Sequence, residues 1–261
     1  MKFAALLVSL LLFRLADAQE IEPTGTFIAV DKEYDRVLQV HANGVALAYK
    51  LVGSGEPLVM VMGLGGRMDD WTKDFVGELS KRFQLIIFDN RGMGYSTVDN
   101  TKFSYRLWAD DLVGLLDALG IERANVFGYS MGSAITQELM LDYPHRIHKA
   151  VLCGPSVYGS NMLNAVAGVN FNDPIVQRQI EAAKDWVTPL GDLPSVTDQV
   201  MVLVASSDAE VDVENSKAMA TAIPGAWLIQ FKSSQPPLVS ENAEFARVMA
   251  TFFATGEGTP K

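Results

Sequence analysis

The eight residues 125–132, Asn-Val-Phe-Gly-Tyr-Ser-Met-Gly, place a serine between two glycines, after a short apolar run and before a segment of helical periodicity. This order predicts a strand, a sharp turn and a helix, with Ser130 at the turn. Glycine on either side permits a turn too tight for a β-carbon. Ser130 is therefore predicted to hold its hydroxyl at the carboxyl edge of a sheet, where a nucleophile would stand.

The remainder of the chain predicts the sheet itself. From about residue 24, short apolar runs alternate with longer amphipathic segments, which is typical of an α/β fold with a mostly parallel, doubly wound central sheet and helices on both faces. Strands are predicted at Val45–Leu51, Leu58–Met62, Phe83–Asp89, Asn125–Phe127, Lys149–Cys153, Val200–Ala205 and Trp227–Phe231. Helices are predicted at Trp71–Arg82, Tyr105–Leu119 and Met131–Asp142.

One region interrupts this alternation. Residues 154–198 are rich in Pro, Gly, Asn and Ser and contain one segment with helical spacing, Ile175–Trp186. We predict that they form a small cap insertion over the sheet, within a single domain of residues 19–261.

Composition limits the class of partner. The chain has 261 residues, of which 49% are hydrophobic, and a formal net charge of −10 at pH 7. Acidic and basic residues are mixed, so no basic stripe is available to follow nucleic-acid phosphates. We expect a small-molecule ester or another apolar ligand and no nucleic acid. The sequence leaves the oligomeric state open.

The first 18 residues have the pattern of a secretory signal peptide. Lys2 precedes the apolar run Phe3–Phe13, and Ala16-Asp17-Ala18 provides small residues for cleavage before Gln19. The run is shorter than the roughly 20 apolar residues that a membrane span requires. We therefore expect a secreted or periplasmic protein, cleaved after Ala18, with no stable membrane span after cleavage.

The metal-binding residue types are few and scattered. The histidines are His41, His145 and His148, and the single cysteine is Cys153. They form no Cys/His cluster of the kind that holds zinc, so we expect neither a metal nor a cofactor. Cys153 ends an apolar run and is predicted to be a buried thiol.

A second glycine-rich segment precedes the serine. Residues 59–66, Val-Met-Val-Met-Gly-Leu-Gly-Gly, predict a strand that runs into a loop whose N–H groups can face an oxyanion. The N–H groups of Leu64 and Met131 would together form an oxyanion hole. A phosphate-binding loop is disfavoured because no Gly-Lys-Ser/Thr follows. Residues 89–96, Asp-Asn-Arg-Gly-Met-Gly-Tyr-Ser, predict a turn with structural charges.

These segments, with residues 223–227, resemble the α/β-hydrolase family, in particular its esterase, lipase and haloperoxidase-like branch, over nearly all of residues 40–253. The family order is Ser, then Asp, then His. The resemblance implies that Ser130 is the nucleophile and Asp208 the acid, with Ala205 where the family usually has glycine. Glu210 and Asp212 are weaker alternatives for the acid.

The resemblance places the triad histidine after the last strand, where this sequence has Gln235, or Pro236 with a gap. No histidine follows His148 in the sequence. His145 and His148 come after a helix that ends roughly 20 Å from the serine, on the opposite edge of the sheet. Gln235 cannot accept a proton at neutral pH, and Lys232 is the only basic side chain nearby.

Three hypotheses follow. The first is a carboxylesterase-like serine hydrolase, impaired because it lacks a triad histidine. The second is a non-catalytic relative that binds an apolar ligand or a protein. The third is a reaction without such a base, for example a lyase or a cofactor-free proton transfer. Epoxide hydrolase and dehalogenase chemistry is disfavoured because those relatives have aspartate where this chain has Ser130.

Overall fold

The computed structural model describes residues 20–31, 35–165, 172–205, 213–232 and 243–255. These residues contain a nine-stranded sheet. Its strands are β1 Thr26–Val30, β2 Arg36–Ala42, β3 Val45–Val52, β4 Glu56–Val61, β5 Phe83–Phe88, β6 Ala124–Tyr129, β7 Ile147–Cys153, β8 Gln199–Ala205 and β9 Trp227–Phe231. The helices are α1 Lys73–Leu79, α2 Tyr105–Ala118, α3 Met131–Asp142, α4 Gly159–Ala165, α5 Pro174–Lys184, α6 Val213–Ala222 and α7 Ala243–Ala254.

The sheet has the order β1-β2-β3-β5-β4-β6-β7-β8-β9. β1, β2, β3 and β5 pair antiparallel, and all pairs from β5 through β4 to β9 are parallel. The chain leaves β4 toward β5 on one side and leaves β6 toward β7 on the other. A crevice opens at the carboxyl ends of adjacent strands where the direction of winding reverses in this way. Ser130, directly after β6, lies at that point.

Apolar side chains cover both faces of the parallel strands. Along β4, Val59 and Val61 belong to one core cluster, whereas Leu58 and Met60 belong to the other. The first cluster includes residues of α2, α3 and α6, and the second includes residues of α1 and α7. Strands buried on both faces read as continuous apolar runs. The predicted α/β class, with helices on both faces of a mostly parallel sheet, is confirmed.

Several boundaries differ from the prediction. The described residues of the region 154–198 contain two α-helices, α4 and α5, where one was predicted. Gly159, at the start of α4, packs so closely on α5 that a β-carbon there would overlap the Ala183 carbonyl oxygen. The helix predicted at Trp71–Arg82 is the shorter α1. The sequence predicts neither β1 nor β2. The residues of β1 are exposed or half-buried, and Gln39 and His41 interrupt the buried apolar residues of β2.

Cys153 is buried at the end of β7, as predicted. None of the helices in the described ranges is long and apolar enough to cross a membrane. The predicted signal peptide, residues 1–18, lies outside the described residues.

Candidate active site

Ser130 occupies a strained turn between β6 and α3. Its backbone angles are φ 51° and ψ −115°, and a positive φ at a residue other than glycine costs about 1–3 kcal/mol. The flanking glycines allow the turn, since a β-carbon on Gly128 would overlap the Gly132 carbonyl oxygen, and one on Gly132 would overlap that of Val61. The strain keeps the partly exposed Ser130 side chain at the carboxyl edge of the sheet.

Hydrogen bonds tie the turn to the neighbouring strand β7. The Ser130 N–H donates to the Cys153 carbonyl oxygen at 2.9 Å. The buried Ser133 hydroxyl lies 2.8 Å from the Gly128 carbonyl oxygen and 2.9 Å from that of Cys153. The Ser133 hydroxyl therefore hydrogen-bonds to the backbone, whereas the partly exposed Ser130 side chain lies at the crevice.

The loop after β4 lies directly against the serine. A β-carbon built on Gly63 would lie 3.3 Å from the Ser130 Cβ, so a side chain at residue 63 would push the loop or the serine by a few tenths of an ångström. Leu64 follows Gly63 in this loop, and Met131 follows Ser130. Neither of their N–H groups has an acceptor within the described part of the chain. The structure thus brings together Ser130 and the two residues predicted for the oxyanion hole.

Three side chains hold this loop, which we call the oxyanion loop, Gly63–Met68. The Asn90 amide donates to the Met62 carbonyl oxygen at 3.2 Å, just before the loop. The Gly65 N–H donates to the Gln179 Oε1 at 2.8 Å. The Met68 N–H donates to the Asp89 Oδ1 at 2.7 Å. Two of these side chains follow β5, and one belongs to α5.

Asp89 is buried beneath the turn that follows β5. Its second oxygen accepts the Tyr95 N–H at 2.9 Å. Burial raises the pKa of the Asp89 carboxyl to about 6, because loss of water disfavours the charged form more than the N–H groups of Tyr95 and Met68 favour it. Asp89 is a brace for the oxyanion loop.

Arg91 closes the base of the same turn. Its guanidinium donates to both carboxylate oxygens of Asp111, at 2.8 and 2.5 Å, to Asp99 at 2.8 Å and to the Asn43 carbonyl oxygen at 2.9 Å. Bidentate pairing of this kind fixes orientation as well as charge. The contacts of Asp89 and Arg91 fit the structural role expected from the sequence.

The predicted acid and the position expected for histidine, Asp208 and Gln235, lie outside the described residues. Their places in the chain follow the carboxyl ends of β8 and β9. Tyr129, at the end of β6, is level with Leu203 and Ile229 in the paired registers. β8 and β9 therefore end on the same edge of the sheet as Ser130, about 10 and 14 Å away at the usual strand spacing.

Two of the histidines lie away from Ser130. His148 is the second residue of β7, and its neighbour Ile147 pairs with Ala124 at the start of β6, so His148 lies at the opposite edge from Ser130. His41 is on β2, in the antiparallel part of the sheet. Lys232 is exposed directly after β9. Within the described ranges, no group of three His, Cys, Asp or Glu side chains could hold a metal ion.

Gln179 was not expected from the sequence, although it is the α5 side chain that contacts the oxyanion loop. Gln179 is fully buried on α5, on the same face as Val176 and Ala183. A polar residue at helical spacing among apolar ones is a signal that the sequence contains. The sequence does not indicate which residue Gln179 contacts, since its partner Gly65 lies 114 positions away.

Comparisons with known proteins agree with this architecture. A family model described as the alpha/beta hydrolase fold matches residues 56–249. Over 138 residues the chain is 33% identical to 2-hydroxymuconate semialdehyde hydrolase of Pseudomonas sp. strain CF600, which covers 51% of this chain and 49% of that protein. Over 147 residues it is 34% identical to the serine hydrolase BPHL of Mus musculus, covering 53% and 48%. The chain thus spans about half the length of the curated relatives it matches.

A solved structure extends the likeness beyond these segments. The enol-lactonase of Burkholderia xenovorans LB400 superposes with a TM-score of 0.72 at 20% identity, over 83% of this chain and all of that one. At this identity the likeness concerns the fold alone. With the family match over residues 56–249, the chain belongs to the α/β-hydrolase fold family.

Proposed function

We propose that this protein is a serine hydrolase of carboxylic esters, in which the Ser130 hydroxyl attacks the ester carbonyl. The observation that carries the proposal is the strained Ser130 backbone, φ 51° and ψ −115°, against the oxyanion loop. Backbone strain of this size persists only where the surrounding structure fixes the residue, and strained residues are concentrated at active sites. Attack would turn the carbonyl oxygen into an oxyanion, which the N–H groups of Leu64 and Met131 would stabilise.

The proton of the serine is the weak point of this mechanism. In the usual triad a carboxylate, here proposed as Asp208, orients a histidine that accepts the proton. Gln235, at the position expected for that histidine, can orient a water or a hydroxyl but cannot accept a proton. Loss of the serine or the histidine of a triad costs on the order of 10⁶ in turnover, and about 10³ to 10⁴ over water remains. We therefore propose slow hydrolysis.

The proposed substrate class rests on the chemistry of Ser130 beside the oxyanion loop. The relatives named above are hydrolases by name, which supports hydrolysis but does not define an ester. We further propose that the chain is exported and acts after removal of residues 1–18, as the N-terminal pattern predicts.

A second candidate function is binding without catalysis. It is favoured by one observation, the position of His148 at the opposite edge of the sheet, together with the absence of later histidines from the sequence. In this function the crevice would hold a small apolar ligand, or a protein segment, and Ser130 would be one of its contacts.

Ester hydrolysis by purified residues 19–261 separates the two functions. We would measure initial rates with p-nitrophenyl acetate and butyrate for the natural chain, Ser130→Ala and Gln235→His. A natural-chain rate above that of Ser130→Ala supports the hydrolase, and a further increase in Gln235→His supports the missing base. A natural-chain rate equal to that of Ser130→Ala, for both esters, would reject hydrolysis.

A further inference from the structure

The first four residues of the oxyanion loop, Gly63–Gly66, form a tight β-turn. The Gly66 N–H donates to the Gly63 carbonyl oxygen at 3.2 Å, and Gly65 has φ 71° while the φ of Leu64 is not positive. These values define a type II turn with Gly65 at its third position. Types I and II differ in the orientation of the central peptide, which here joins Leu64 to Gly65.

Gln179 holds that central peptide. Its Oε1 accepts the Gly65 N–H at 2.8 Å, and this N–H belongs to the peptide plane whose rotation would convert the turn. The Gln179 side chain is fully buried. A neutral hydrogen bond of this kind contributes about 1 kcal/mol net. Gln179 on α5 thus favours one orientation of this peptide, in the loop that contacts Ser130.

The same amide leaves its other end unsatisfied. The Gln179 Nε2 is buried without a hydrogen-bond partner, and an orphaned buried donor costs about 1–3 kcal/mol. A methionine or leucine would avoid that cost and fill the space. An unsatisfied buried group in a native structure calls for a reason, and a functional constraint is one such reason.

α5 is itself firmly placed against the body of the domain. Arg178, the preceding residue, donates to the carbonyl oxygens of Asp99 and Thr101 at 3.0 and 2.6 Å and lies 3.9 Å from the centre of the Phe103 ring. Ile175, one turn earlier, packs where a β-carbon on Gly92 would lie 2.8 Å from its Cγ2. Gln179 therefore reaches the oxyanion loop from a fixed support.

We propose that Gln179 is a positioning residue. By holding the Leu64–Gly65 peptide in the type II turn, it fixes the path of the oxyanion loop and so the place of the preceding Gly63–Leu64 peptide, whose N–H would face the oxyanion. The role rests on the proposed ester hydrolysis, and it assigns to the cap a part in transition-state stabilisation. Gln179 acts through Gly65 and has no proposed contact with substrate.

Two variants isolate the acceptor. Gln179→Met keeps the length of the side chain but removes both the acceptor and the orphaned donor, so its folding should be little changed. Gln179→Glu keeps an oxygen for the Gly65 N–H in either protonation state. Thermal unfolding followed by circular dichroism checks that both variants fold.

Hydrogen exchange, read by mass spectrometry on peptides that span residues 63–67, reports the clamp without any need for activity. The Gly65 N–H should exchange about tenfold faster in Gln179→Met than in the natural chain, which is the factor that corresponds to loss of one hydrogen bond. Its exchange should stay within about threefold of the natural chain in Gln179→Glu. Unchanged exchange in Gln179→Met would overturn the proposal.

Ester kinetics then separate positioning from a purely structural role. In Gln179→Met, kcat should fall about tenfold while KM stays within about twofold, because the lost interaction acts only on the transition state. Gln179→Glu should restore kcat. Faster exchange with unchanged kcat would overturn the positioning role. If the natural chain and Ser130→Ala hydrolyse equally slowly, it is the proposed hydrolysis that fails, and the exchange result alone decides whether Gln179 holds the turn.

Discussion

The Ser130 side chain rests against Gly63, where a β-carbon would lie 3.3 Å from the Ser130 Cβ and 3.3 Å from the Tyr129 ring and carbonyl oxygen. Contacts this short require the neighbours to move by a few tenths of an ångström. The nucleophile and the oxyanion loop thus share one narrow space, whose width is set by the absence of a side chain at residue 63.

Gly63→Ala should consequently impair the site more than the fold. We expect kcat/KM for p-nitrophenyl butyrate to fall about tenfold, because small displacements of reacting groups are costly, and the free energy of unfolding in urea to fall by about 1 kcal/mol from overpacking. Gly77→Ala is the matched control, since a β-carbon there meets nothing within 4 Å. Equal activity of Gly63→Ala and the natural chain would contradict the close approach.

Strain at Ser130 predicts an unusual order of stabilities. Ser130→Gly should be more stable than Ser130→Ala by about 1 kcal/mol, because glycine adopts φ 51° without a steric penalty. Both variants should lose ester hydrolysis. Chemical denaturation measures the difference, and an alanine variant at least as stable as the glycine variant would show that the turn is not strained.

The Arg91 cluster should be among the most sensitive polar sites. Arg91→Met leaves Asp111 buried without its cation, and loss of one partner of a buried ion pair costs about 3–5 kcal/mol. Arg106→Met removes half-exposed pairs with Asp110 and Asp142 and should cost only about 1 kcal/mol, because exposed pairs contribute little. Urea denaturation compares the two variants. Similar losses would mean that the buried pair contributes no more than the surface pairs.

Asp89 should make stability depend on pH. Its pKa is raised to about 6 from 3.8, so between these values the folded chain holds a proton that the unfolded chain has released. The stabilisation that the extra proton on Asp89 gives the folded chain is fully present below pH 3.8 and is lost as the pH rises through 6. The difference in unfolding free energy, natural chain minus Asp89→Asn, should fall by about 2 kcal/mol between pH 4 and 7. A difference that does not vary with pH would contradict the raised pKa.

The core of the fold was predictable because its signals are local. The strands from β3 onward are continuous apolar runs, and the turn at Ser130 follows from two glycines that no other residue could replace. β1 gave no such signal, because an edge strand with exposed Phe27 and Val30 lacks the apolar run of a buried one. In β2 the polar residues Gln39 and His41 interrupt the run. α4 was missed because its start depends on close contact between Gly159 and α5.

The candidate site was predictable only in part. Ser130, Leu64 and Met131 come from motifs next to strands, and the structure brings them together. The Gln179 contact could not be predicted, since it joins α5 to a loop far away in sequence. Asp208 and Gln235 rest on the family resemblance and stay predictions.

Covalent labelling tests most directly whether Ser130 is a nucleophile. The natural chain, Ser130→Ala and Gln235→His would be incubated with an alkyl fluorophosphonate, and the modified residue located by tandem mass spectrometry. We expect a single adduct on Ser130, slow in the natural chain, faster in Gln235→His and absent from Ser130→Ala. Ser133, buried and bonded to two carbonyl oxygens, should stay unmodified. Labelling at any other residue, or equal labelling of Ser130→Ala and the natural chain, would contradict a nucleophilic Ser130.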